Sequence, residues 1–141
     1  MYTDEELSRI YDRTSGYCHL CWRKLAFTNY NKPGRRGAWE VEHSNARANG
    51  GSDRLANLYP AHITCNRSKQ ARSTRSARAE YGYRSAPLSA EARKKAKVRN
   101  ALTGGALGAL AGALVGPGWP FVGAAIGAGL GHKRNPDKDR R

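Results

Sequence analysis

Two pairs of residues carry the side chains of a metal site. Cys18-His19-Leu20-Cys21 and His62-Ile63-Thr64-Cys65 each place two ligand types with two residues between them. A tight turn lets both side chains of such a pair reach one ion, and two pairs complete a tetrahedral shell. Three sulfurs and an imidazole suit zinc, and four protein ligands leave no open position, so the expected ion is structural. Two other readings stay open: a redox Cys-x-x-Cys, and cysteines that are merely buried. No thioredoxin-like βαβ pattern surrounds Cys18, which counts against the first. His19 competes for the nitrogen position, but a residue between the two cysteines is expected to point away.

A second group could work on a phosphodiester. Such hydrolysis needs a base for the attacking water and a cation against the charge that develops on phosphorus. Glu42-His43 sets a carboxylate beside an imidazole, and Asn57 and Asn66 follow, the latter next to Cys65. Each residue alone says little; their order is what carries information.

The elements that must position these groups are short. Thr3 and Glu6 form a capping box for a helix with Leu7, Ile10 and Tyr11 on one face, and Gly16 stops it. Residues 17–72 read as an α+β unit: a turn and strand over 18–27, a strand over 38–43, a loop at Asn49-Gly50-Gly51-Ser52, and a helix over 62–72. So small a unit is marginal without a staple, and a bound metal supplies one. Residues 73–100 read as a basic linker, with Ser89 capping a helix through Lys97.

From Ala101 to Gly131 there is no charged residue, and Gly104, Gly108, Gly112 and Gly116, then Gly123, Gly127 and Gly131, recur every fourth position. Leu102, Leu107, Leu110 and Leu114 make this too apolar for an ordinary linker. We expect a glycine-zipper helical hairpin over 101–132, broken at Pro117-Gly118-Trp119-Pro120, and a basic tail over 133–141. Glycine at this spacing is the packing pattern of membrane helices, so membrane association or self-association through this segment is expected. The basic flanks would keep both ends on the cytoplasmic side.

The 141 residues carry a net charge of +14. That excess points to a polyanionic partner, either nucleic acid phosphates or an anionic membrane surface. It is uneven: residues 66–100 hold eleven Lys or Arg against Glu80 and Glu91. Three cysteines are too few and odd for a secreted disulfide scaffold and suit a reducing, cytoplasmic compartment. The polar start Tyr2-Thr3-Asp4-Glu5-Glu6 does not read as a signal peptide.

The ordered set Cys18-x-x-Cys21, Glu42-His43, Gly50-Gly51, Asn57-Leu58 and His62-x-x-Cys65-Asn66-Arg67-Ser68-Lys69 resembles the HNH endonucleases, with their ββα-metal (His-Me finger) fold. The resemblance covers about residues 17–70. It implies that His43 is the general base, that Asn66 and Glu42 hold a catalytic divalent ion, and that Asn57 orients the His43 imidazole by fixing its loop. Mg²⁺ is the implied ion, with Mn²⁺ or Ni²⁺ as substitutes. Arg67 and Lys69 are expected at the DNA backbone, with Arg72 and Arg75 beyond them. This chain departs from the pattern with Glu42 where Asp is usual, His62 where Cys is usual, and Ala46 where Pro is frequent. The resulting expectation is a DNA endonuclease with structural zinc. Its rivals are a non-catalytic zinc-knuckle DNA-binding module and a membrane-active, toxin-like protein acting through the glycine repeat.

Overall fold

The structure, a computed structural model, describes residues 2–116 and 119–138. It divides into two units at about residue 90.

The first unit opens with α1 (Asp4–Asp12), whose capping box forms as the sequence predicts. Glu6 N–H donates to Thr3 Oγ1 at 3.2 Å, and Thr3 N–H donates to Glu6 Oε2 at 2.8 Å. Leu7 and Ile10 are buried from this helix. Gly16 ends the segment at φ +73°, where a Cβ would stand 2.4 Å from the Tyr11 ring, so only glycine fits. Trp39 is fully buried, with Tyr11 and Tyr30 ring centres 5.4 and 5.0 Å from its own and its indole N–H donating to the Phe27 carbonyl at 3.1 Å. In a core this small, Trp39→Ala would cost about 3–5 kcal/mol.

The sheet has two antiparallel strands, β1 (Trp39–His43) and β2 (Leu58–His62), with Trp39 opposite His62 and His43 opposite Leu58. β2 leads directly into α2 (Ile63–Lys69), which packs on both strands. Side chains alternate along β1, so Glu40 and Glu42 share one face of the strand. Each of these two carboxylates meets a residue of α2.

Three features differ from expectation. Residues 18–27 form no strand; the pairing there is one bridge, Tyr17 to Lys24, because the knuckle turns back too soon. β2 forms although Pro60 removes a ladder donor and argues against a strand in the sequence, because a two-stranded sheet is all edge and tolerates it. Residues 73–89 are more than a linker. They carry α3 (Thr74–Ala79), which buries Thr74 and Ala77. Trp22 stacks on Tyr83 at 4.6 Å and donates to the Ser85 carbonyl at 3.0 Å, tying the segment to the knuckle.

The second unit contains most of α4 (Ala90–Ala113) and all of α5 (Trp119–Lys133). Their glycines face each other: a Cβ on Gly104 would lie 2.1 Å from the Gly127 carbonyl oxygen, and one on Gly108 would lie 2.0 Å from that of Gly123. The backbones therefore touch, and the helices run antiparallel. Pro117 and Gly118, two of the four residues of the expected break, lie outside the described residues, as do Asp139, Arg140 and Arg141 of the tail.

Candidate active site and metal centre

Cys18, Cys21, His62 and Cys65 converge, their ligand atoms all within 4.8 Å of one another. Tetrahedral zinc with bonds of about 2.0–2.3 Å sets neighbouring donors roughly 3.5–3.8 Å apart, so the cluster is close to that shape. Cys21 Sγ lies 3.5 Å from His62 Nδ1, and the His62 backbone N–H points at Cys18 Sγ from 3.4 Å. The three cysteines form no disulfide. Hydrogen bonds from Cys18 and Cys65, joined by those from His62 and Arg23, push the Cys21 thiol well below its ordinary range. Burial first, then the hydrogen bonds with Cys21 and Cys65, pushes the Cys18 thiol the other way, well above its ordinary range, so binding a metal here would release its proton. Three soft sulfurs and an imidazole, drawn from the knuckle and the start of α2, fit a structural metal such as zinc.

His19 does point away from this cluster, and it points to a definite partner. Its Nε2 lies 2.6 Å from Glu42 Oε2, and Lys69 Nζ lies 2.7 Å from Glu42 Oε1; the angles of these ion-pair contacts fall short of hydrogen-bond geometry. Arg78 Nη2 meets His19 Nδ1 at 2.9 Å, and Arg78 Nε donates to the His19 carbonyl at 2.8 Å. A guanidinium can only donate, so Nδ1 accepts and the ring proton sits on Nε2, facing Glu42. Burial lowers the His19 imidazole further than Glu42 raises it, which keeps the ring neutral at pH 7. Burial raises the Glu42 carboxyl, but His19 and Lys69 outweigh that and hold it below its usual range. The Tyr59 ring stacks on His19 at 4.9 Å, and Arg13 covers Tyr59 at 3.8 Å.

Two expected roles change here. Glu42 and Lys69 are each only 1% exposed and lie against each other as an ion pair, so Lys69 cannot reach a phosphate from solvent. Its Nζ also lies 3.2 Å from the His43 carbonyl oxygen, bracing the end of β1 from α2. Glu42 and Asn66 do not come together as a pair of cation ligands. Both Glu42 oxygens are engaged, and the Asn66 amide donates to Glu40 Oε1 at 2.9 Å. In this arrangement the expected pair does not fit a divalent ion.

His43 turns to the other side of β1. Its side chain is 15% exposed, and Nε2 lies 2.6 Å from Asp53 Oδ1. Arg47 closes the triangle, with Nη2 at 2.6 Å from the same oxygen and Nε at 3.2 Å from His43 Nε2. His43 and Arg47, first of all, hold the Asp53 carboxyl below its ordinary value. Neither Asp53 nor Arg47 was singled out in the sequence, because a single Asp or Arg in a glycine loop carries no pattern.

Asn57 clamps the loop that follows His43. Its Oδ1 accepts from Asn45 N–H at 2.7 Å, and its Nδ2 donates to the carbonyls of Asn45 and Ser52 at 3.0 and 2.8 Å. Gly50 turns the loop at φ +79°, and a Cβ on Gly51 would strike the Asn45 carbonyl oxygen at 1.8 Å. Beside this loop an open cleft of about 670 Å³ is lined by polar side chains including Asn45, Asn57, Arg54 and Arg72; His43 is not among its lining residues. Arg67 and Arg75 are exposed, whereas Arg72 pairs with Glu80 and donates to the Ser68 carbonyl at 2.8 Å.

Residues 18–72 match the family model described as HNH endonuclease, a stretch that spans the knuckle, both strands and α2. No curated protein and no solved structure matches the chain.

Proposed function

We propose that the HNH domain over residues 18–72 is a DNA endonuclease that hydrolyses phosphodiester bonds, with His43 taking the proton from the attacking water. The observation that supports this best is the His43 ring itself. The 2.6 Å contact with the Asp53 carboxylate, shorter than the 3.2 Å contact from Arg47 Nε, keeps the ring proton on Nε2 and leaves Nδ1 as the basic atom, on a loop end fixed by Asn57 and by Lys69. Asn57 thus acts on the reaction through the loop that carries the base. Zinc on Cys18, Cys21, His62 and Cys65 holds the knuckle to α2. Arg67 and Arg75, with Arg54 at the cleft, supply positive charge for the DNA backbone. Reduced cysteines suit a cytoplasmic setting.

Dependence on a divalent cation, Mg²⁺ first, is part of the proposal, and Asn66 is its candidate ligand. Glu42 would have to leave Lys69 and His19 to join it. That same arrangement favours a second reading, in which the fold persists as a non-catalytic DNA-binding module because an ammonium group occupies the Glu42 carboxylate. Plasmid nicking separates the two: cleavage with Mg²⁺ that stops in EDTA, while zinc content is unchanged, supports the enzyme. Binding without cleavage in any divalent cation supports the module.

A further inference from the structure

We propose that the α4–α5 hairpin inserts its loop end into one side of an anionic lipid bilayer without crossing it. The glycines, which are the surface that lets helices approach closely, are already spent within the pair. Gly104 meets Gly127, Gly108 meets Gly123, and Gly112 meets Trp119, all backbone to backbone. What remains outside is every large apolar side chain. Leu114 is 90% exposed, Phe121 83% and Leu110 68%, with Leu102, Leu107 and Ile126 also exposed. Between Ala101 and Gly131 the one polar aliphatic side chain is Thr103, and its hydroxyl donates back to the Arg99 carbonyl at 3.0 Å. A helix pair apolar on every outward side needs a solvent that is apolar on every side. A second copy of the chain would cover one stripe and leave the others in water.

The charge pattern names the lipid. Antiparallel packing sets Asn100 against Gly131 and so brings both basic flanks to the same end of the hairpin. Lys94, Arg99, Lys133 and Lys138 are exposed there, at the level where headgroups would lie. Basic residues next to an inserted segment attract anionic headgroups. The apolar stretches of 13–15 residues reach roughly 20 Å at 1.5 Å per residue, short of a hydrocarbon core of about 30 Å. In keeping with this, no helix among the described residues is long and apolar enough to cross a membrane.

The test uses the full chain, freed of nucleic acid, in flotation with phosphatidylglycerol/phosphatidylcholine vesicles and with pure phosphatidylcholine vesicles. The expected result is at least tenfold more protein on the anionic vesicles, retained through a wash in 1 M NaCl because apolar insertion is not screened. Leu110→Asp with Phe121→Asp, both on outward faces, should cut the bound fraction at least tenfold with zinc content and helicity unchanged. Brominated lipid should quench Trp119 fluorescence, read as the difference from Trp119→Phe. Protein that stays at the bottom with both vesicles, that is stripped by salt, or whose double variant floats as before overturns the proposal. So does a discrete oligomer in lipid-free buffer that ignores vesicles, which would assign the apolar faces to a second copy.

Discussion

The Nε2 atom of His43 lies 2.6 Å from Oδ1 of Asp53, across a loop of nine intervening residues. If that nitrogen carries the ring proton, Nδ1 keeps the lone pair that a general base needs. Asp53 is then a positioning residue, and Arg47, bonded to the same oxygen, holds it in place.

Asp53→Asn should therefore lower kcat for cleavage by about 10–100-fold with KM nearly unchanged, the scale of a lost orienting partner. Asp53→Glu should restore part of the loss, and the imidazole ¹⁵N shifts of His43 should move toward a mixed tautomer in the Asn variant. Equal kcat in all three proteins would remove Asp53 from the mechanism.

Lys69 gives a contrast between a structural and a DNA-contacting lysine. Lys69→Met leaves the Glu42 carboxylate buried beside one partner fewer, a change expected to cost about 3–5 kcal/mol in urea unfolding. Glu42→Gln in the same chain should return part of that loss. DNA affinity of the folded fraction should stay within a few-fold of wild type. A variant as stable as wild type but tenfold weaker on DNA would place Lys69 at the phosphates after all.

Arg67 and Arg75 are the exposed side chains on which the phosphate reading rests. Replacing either by Ala should weaken binding to all sequences alike and lower the slope of log K against log salt by roughly 0.9. Arg72→Ala should do less, because its guanidinium already pairs with Glu80. An unchanged salt slope in the Arg67→Ala, Arg75→Ala double variant would move the DNA to another face.

Much of the site is legible in the amino-acid sequence alone. The convergence of Cys18, Cys21, His62 and Cys65 follows from spacing, because two short pairs able to close on one ion constrain their own geometry. The capping box and β1 follow from local pattern. The rest depended on contacts that no local pattern encodes. Lys69 reads as a surface charge until α2 is laid on β1, where Asn66 and Lys69, three apart on the helix, meet Glu40 and Glu42, two apart on the strand. That pairing of a helical and a strand repeat could have been sought in the sequence. α3 was hidden by its Arg/Ser/Ala composition, since Arg78 anchors it through a half-buried hydrogen bond to His19 and not through an apolar stripe.

Zinc should be a condition of folding. The four residues that could hold it join the knuckle to the first turn of α2, and the core beside them is small. Stripping the protein with a strong chelator should abolish its cooperative thermal transition, and one zinc per chain should restore it. Cys65→Ser should act in the same direction and reduce cleavage by releasing α2. Full structure in a metal-free sample would mean that the cysteines are only buried.

Plasmid nicking by His43→Ala beside wild type in Mg²⁺ tests the role of His43 as the base. A loss of about 10²-fold or more in rate is expected, with zinc content and duplex affinity nearly unchanged. Cleavage within a few-fold of wild type would contradict that role.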